Sequence, residues 1–410
     1  MRFRVMRLIR VLPFAALVGV CGCGGSGTVG PPPALNPPVG FAYVTVAATS
    51  AGGVGSVYEF SVLEDGSISA LPQVSVSAGV EPAAIALDQA GRHLYVVNVG
   101  DGTISQYIIA ADNSLVPMNP ATIINPGMKT LGATPGAVAL DFSGSFLYVA
   151  NSGDATLSQF SIGSGGQLTP LTPATVPAGT GPVSIATIAG PSGGHVYVAN
   201  SGVGMPTGTG SVSQFAMGAD GTLTPLNPAT VSAGASPVAI AIDQAIAPFG
   251  TAYVLSDCDG STCTGSINPF AVGAGGELTA AGAVATTGEH YNAVDMAIDQ
   301  SGGNAYVLTN LMGVDTDNGA LWQFGVGNSG ALSMPTQPTL NIGTTALAQA
   351  LFEDRLCVLT SNDGNGGSAG SGGSINCYTL GASGLPTLQA STMLATPRPI
   401  SMAVLVLLPP

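Results

Sequence analysis

Three His and eight Lys and Arg residues stand against 22 Asp and Glu in this chain. Acid–base chemistry must therefore come from carboxylates with few partners. Glu289, His290 and Tyr291 are consecutive, and Asp295 follows four residues later. Glu81 and Arg398 each stand directly before a proline that opens a segment rich in small and apolar residues. A carboxylate or imidazole can activate water, and a guanidinium can stabilise an oxyanion. Glu81, Arg398, Glu289, His290 and Asp295 are thus the candidates for a hydrolytic site. The same residues have a structural reading. Glu81 and Arg398 would form a salt bridge, and Asp295 would accept backbone N–H groups. Ser is abundant, yet no G-x-S-x-G elbow precedes a helix.

Other chemistry-bearing residues read as structural. His93 and His195 stand just before Tyr-Val strands and are expected in turns. Trp322 and Tyr58 replace a recurring Ser and are expected between packed sheets. Asp257 and Asp259, and Asp315, Asp317 and Asn318, form acidic loops. Calcium wants six to eight oxygen ligands in a set spacing, which neither loop has. No metal or cofactor is expected.

The elements that must position these residues form a repeat. Tyr-Val recurs at Tyr43, Tyr95, Tyr148, Tyr197, Tyr253 and Tyr306, with a degenerate seventh copy at Cys357. A period of about 50 residues built from short strands and Gly-rich turns is that of a β-propeller blade. Each repeat holds four strand signals: the YVxN run, a segment like GSVSQF at Gly210 to Phe215, a short GxLTPL segment, and a Pro-led strand such as PVAIAID from Pro237. The Pro-led strand, with its small residues, suits the crowded centre. The repeats begin at a YV strand and end on a Pro-led strand from Pro399. The last strand is therefore expected to complete the first blade and leave no open edge. The fold class is an all-β, seven-bladed propeller with four antiparallel strands per blade.

Aligned repeats allow equivalent positions to be compared around the ring. The residue before the inner-strand proline runs Glu81, Thr134, Gly181, Ser236, Asn292, Gly343 and Arg398. Two positions inside that proline it runs Ala84, Ala137, Ser184, Ala239, Asp295, Ala346 and Ser401, so Asp295 is the single charge there. Glu81 and Arg398 should be neighbours at the seam.

Composition agrees: 59 Gly and 30 Pro, 46% hydrophobic and only 7% charged residues favour strands over helices. Residues 1–23 read as a lipoprotein signal peptide. Arg2, Arg4, Arg7 and Arg10 precede the apolar run Val11 to Val20, and the small Gly22 precedes Cys23, the expected lipidation site. Residues 24–40 read as a Gly/Pro tether, and 41–410 as the propeller. The signal holds four of the eight cations and no acid. The acidic remainder argues against nucleic acid or anionic lipid as partner. Membrane attachment would come through the lipid anchor alone. A monomer facing an envelope protein, glycan or small molecule is expected. In the repeat hairpin Tyr95 should face Gln106, and Tyr197 should face Gln214. Cys357 and Cys377 replace such a pair together, which argues for a cross-strand disulfide and an oxidising compartment. Cys258 and Cys263 share one loop and could close a small ring.

The YVAN, VSQF, GxLTPL and PVAIAID segments, in this order, resemble the lactonase-type seven-bladed propellers, a group with bacterial 6-phosphogluconolactonase and the YVTN-repeat surface proteins. The resemblance spans roughly residues 41 to 410. It implies a central channel and, for the enzymes, lactone hydrolysis by acidic, His and Arg side chains near its mouth. Family enzymes often place His just after the inner-strand proline, where this chain has Ala83, Gly136, Val183 and Val238. Sugar-phosphate substrates are cytoplasmic, whereas this chain carries an export signal. The leading expectation is a lipid-anchored, cell-envelope binding scaffold, with carbohydrate binding as a variant. The alternative is an exported lactonase-like hydrolase.

Overall fold

The computed structural model describes residues 38–406 apart from 51, 89, 128–134, 191–192, 203–209, 246–248, 258–263, 300–302, 312–318, 334, 336–337, 353, 362–371 and 395–398. Lipidation at Cys23, the Cys258–Cys263 ring and the Arg398 side chain fall outside these residues. So do Thr134, Asp259, Asp315, Asp317 and Asn318.

Seven antiparallel sheets form the blades. Blade 2 is typical: Pro82–Leu87 is innermost, followed outward by His93–Asn98, Thr103–Ile109 and Leu115–Ile124. The inner strands of successive blades pack on one another, and Pro399–Val406 meets Pro82–Leu87 to close the ring. Pro399–Val406 pairs antiparallel with Pro38–Val46, from Gly40↔Val406 to Val46↔Pro399. The last strand thus completes the first blade, as the repeat phase requires. Thr45 and Ser401 hydroxyls lie 2.7 Å apart across that pairing.

Two blades depart from the pattern at their rims. Blade 5 splits its outer strand into Leu278–Ala280 and Ala285–Glu289. Among the described residues the outer edge of blade 6 pairs through Leu340–Asn341 and an isolated Val326–Leu332 bridge, and Thr339 Oγ1 and Ser333 Oγ accept the Gln323 and Gly325 amides.

Each repeating Tyr is fully buried and donates its hydroxyl to a turn carbonyl of the next blade. The bonds are Tyr43 to Asn113 (2.9 Å), Tyr95 to Gly166 (2.6 Å), Tyr148 to Gly221 (2.7 Å), Tyr197 to Gly276 (2.6 Å), Tyr253 to Gly330 (2.9 Å) and Tyr306 to Gly384 (2.7 Å). A buried hydroxyl needs a partner, and here the partner ties one blade to the next. The accepting residue has a left-handed φ, which explains the glycines. The repeating Gln adds a second tie. In blades 2 to 4 its Oε1 accepts the amide of Leu168, Leu223 or Leu278 in the next blade, each at 2.7 Å.

The seventh Tyr position holds Cys357, which pairs in register with Cys377 and is disulfide-bonded to it. The tie from blade 7 to blade 1 is therefore remade: Arg355 Nη2 donates to the Glu64 carbonyl at 2.8 Å. The cysteines are 20 residues apart, so the bridge restricts the unfolded chain. The double variant Cys357→Ala/Cys377→Ala should lose roughly 2–3 kcal/mol in urea denaturation. An unchanged midpoint would show that the bridge contributes nothing.

His93 and His195 lie in strands, not in turns. Both are buried within second strands, each ring over a turn glycine of the next blade, Gly166 or Gly276. His93 Nδ1 also lies 2.9 Å from Asp88 Oδ2. Trp322 packs as expected, with Nε1 donating to Thr309 Oγ1 and its ring edge-on to Tyr291.

Candidate active site

The candidate residues lie toward one end of the propeller, where outer strands cross to the next inner strand. Register places Pro82, Asn98, Thr103 and Ile124 at this end, with the Asp88–His93 turn opposite. Glu81 is exposed, with φ 52°, and its carbonyl accepts the Val99 amide at 3.0 Å. Its side chain reaches into solvent at the blade 1–2 crossover. Glu289 ends the outer strand of blade 5, and His290, with φ 67°, makes the crossover into blade 6. Both side chains are exposed. Among the described residues no hydrogen bond or ion pair joins Glu81, Glu289, His290 and Asp295 to one another.

Asp295 sits deeper, on the inner strand Tyr291–Ile298 of blade 6. Its Oδ1 accepts the Met296 amide at 2.8 Å, and its Oδ2 accepts the Gln349 amide of blade 7 at 3.1 Å. Ser184 does the same in blade 4, its Oγ accepting the Ile240 amide of blade 5 at 3.2 Å. This position thus ties adjacent inner strands, in line with the structural reading. Unlike Ser, Asp brings a carboxyl whose charge burial disfavours. Its pKa is raised to about 6, against only two opposing backbone N–H bonds. Such a group can take up and return a proton near neutral pH.

Each inner strand bulges near its start, at Ala83, Gly136, Val183, Val238 and Ile400 as the second residue, at Leu347 as the third and at Val294 as the fourth. A bulge re-aims the side chain it carries. All seven bulged residues are Gly or aliphatic, so no imidazole stands there.

The bulges also correct the ring alignment in blade 7. Ala348, not Ala346, pairs with Leu359 at the level of Asp295↔Leu308, and Ala346 stands at the level of the prolines. Gly343 is displaced likewise. The shift brings Gln349, which the repeat comparison missed, level with Ile240 and next to Asp295. Two concavities lie at the opposite end. One of about 530 Å³ is bordered by Phe142, Phe146, Ile188 and Met217, and one of about 350 Å³ by His195, Gln244 and Phe249. Neither includes a candidate acid.

A family model described as lactonase, 7-bladed beta-propeller, matches residues 41–187. Its fold is that of the lactonase seven-bladed propellers. A "putative 6-phosphogluconolactonase" from Bacteroides fragilis is similar, with a TM-score of 0.65 and 17% identity, over 91% of this chain and 100% of that one. The periplasmic gluconolactonase of Pseudomonas aeruginosa has a TM-score of 0.63 and 16% identity, over 90% of this chain and 99% of that one. No curated protein matches the sequence. The seven-bladed propeller expected from the YVAN, VSQF and PVAIAID segments is therefore present, and the likeness to solved structures is one of fold.

Among the described residues no group of three or more His, Cys, Asp or Glu could hold a metal ion.

Proposed function

We propose that this lactonase-type propeller is an exported hydrolase that opens an uncharged lactone in its central channel, with Asp295 as the general base. The observation that carries the reading is Asp295 itself. It is the one carboxylate at its level of the seven inner strands, and its pKa is raised to about 6 by burial. Above that pH it can take a proton from water as the water oxygen bonds to the lactone carbonyl carbon. It can return that proton to the ring oxygen as the C–O bond breaks, leaving the hydroxy acid. Arg398 is proposed to stabilise the oxyanion, with Glu81, Glu289 and His290 at the mouth.

An uncharged substrate is favoured by the cations. Among the described residues they are Arg92 and Arg355, which face Asp88 and Asp354 at the opposite end. The aliphatic bulges agree. Export is supported by the arginine-rich N-terminus, the Gly22–Cys23 junction and the Cys357–Cys377 disulfide. Lipid anchoring at Cys23 in the cell envelope belongs to this proposal.

The test is hydrolysis of a panel of aldonic and aliphatic lactones by the purified protein, beside Asp295→Asn and Arg398→Ala. Turnover should fall at least about 100-fold in Asp295→Asn while circular dichroism shows the ring still folded. The lipid-anchored scaffold is the second reading, favoured by the absence of His from the bulges. No turnover from folded, disulfide-intact protein would decide for it.

A further inference from the structure

Gln349 is about nine-tenths buried, and its two amide atoms are treated unequally. Nε2 donates to the Tyr306 carbonyl of blade 6 at 3.0 Å, which fixes the side chain across the interface between blades 6 and 7. Oε1 is buried and accepts no hydrogen bond from the protein. A buried amide oxygen without a donor is costly, so a site that keeps one is built to receive an O–H or N–H. The Gln349 backbone N–H meanwhile holds Asp295 Oδ2, so the residue that carries the unused oxygen also ties Asp295 across the interface between blades 6 and 7. A carboxylate oxygen holding one N–H still has a lone pair for another donor.

We propose that Asp295 and Gln349 together hold one water molecule in the wall between blades 6 and 7, with one hydrogen on the Asp295 carboxylate and the other on Gln349 Oε1. Water matches the pair because it supplies two donors and keeps lone pairs for a third group. Resting on the hydrolase reading, this water is the attacking oxygen, and Gln349 is its positioning residue. Asp295 takes the proton. Thr344 Oγ1, just before the inner strand of blade 7, and Ser361 Oγ, at the end of its second strand, are also buried without a protein partner. They extend the demand for polar guests toward the mouth. The titratable side chains on strands packed against Asp295 are Asp243, Tyr253 and Tyr306, with Tyr291 on its own strand. None of them is a cause of its raised pKa. The pH profile should therefore follow Asp295 and the group at 349.

A crystal structure of the whole protein at pH 8 should show a water within hydrogen-bond distance of both groups, and Gln349→Met should lose it. With a lactone turned over by the wild type, Gln349→Met should lower kcat about 10- to 100-fold and leave KM within about twofold. Gln349→Glu keeps an acceptor but adds charge, and should move the ascending limb of the pH profile upward by about one unit. A merely structural glutamine would change the melting temperature without moving that limb. The inference is overturned if no water bridges the pair, or if Gln349→Met keeps full kcat. A bridging water in a protein that opens no lactone would leave the pair standing and remove the hydrolase reading.

Discussion

Removing residues 399–410 should abolish cooperative thermal unfolding. Pro399–Val406 is the inner strand of blade 1, paired with Pro38–Val46 along its length and packed between the inner strands of blades 7 and 2. Ala42, Val44 and Val46 are buried beside Met402 in one core cluster, which spans blades 1 and 7. Without the strand this apolar surface and a row of ladder N–H and C=O groups face water, and the ring has two open ends. The blade 7–blade 1 interface also lacks the Tyr tie found at the other six. Domains of this kind are stable by only about 5–15 kcal/mol, less than the loss of a whole central strand. Circular dichroism melts of the full and shortened chains are the measurement. A soluble truncate with a sharp transition would refute strand-mediated closure.

Replacing Glu59 with Gln should stabilise the protein by roughly 3 kcal/mol at pH 8 and by almost nothing near pH 4. Glu59 occupies the repeating Gln position in blade 1 and is fully buried. It accepts the Leu115 amide at 3.2 Å and a long contact from Gln73 Nε2 at 3.5 Å. Burial raises its pKa from 4.5 to about 7, with a smaller push from Asp112. A raised carboxylate stabilises the fold, relative to high pH, where both states hold the proton. That contribution is lost as pH rises from about 4.5 through about 7. In blades 2 to 4 the equivalent Gln accepts the same kind of amide and donates Nε2 to Pro120, Pro173 or Pro228. Gln at 59 restores an uncharged acceptor for Leu115, so the burial penalty disappears. Urea denaturation across this window, wild type against Glu59→Gln, tests it. A pH-independent difference would rule out the titration.

The blades and their closure were legible because they rest on local repetition. The repeating Tyr does the same work in six repeats and the Gln in three, so position in the period predicts strand and neighbour. The Cys357–Cys377 pair was legible for the same reason, as a double replacement at facing positions. Glu59 in place of Gln was equally visible in GSVYEF against GSVSQF. Its burial was not, because that depends on Leu115 in the next blade.

Legibility failed where the period loses its markers. Blade 7 has no proline to open its inner strand, so counting from Gly343 put Ala346 where the bulge at Leu347 places Ala348. His93 and His195 looked like turn residues because the sequence shows what precedes a strand, not which neighbouring glycine leaves room for a ring.

By itself the sequence determined the blade number, the strand order, the closing strand and Asp295 as the odd charge on its ring. These follow from alternation and repetition along one chain. Ring packing sets what repetition cannot: Asp295 is held by the backbone amide of Gln349, 54 residues away, and the side chain of that buried glutamine keeps an unused oxygen. The reason is that acidity and hydrogen-bond demand are properties of an enclosure. Here the enclosure is made by two blades that meet only when the ring is packed.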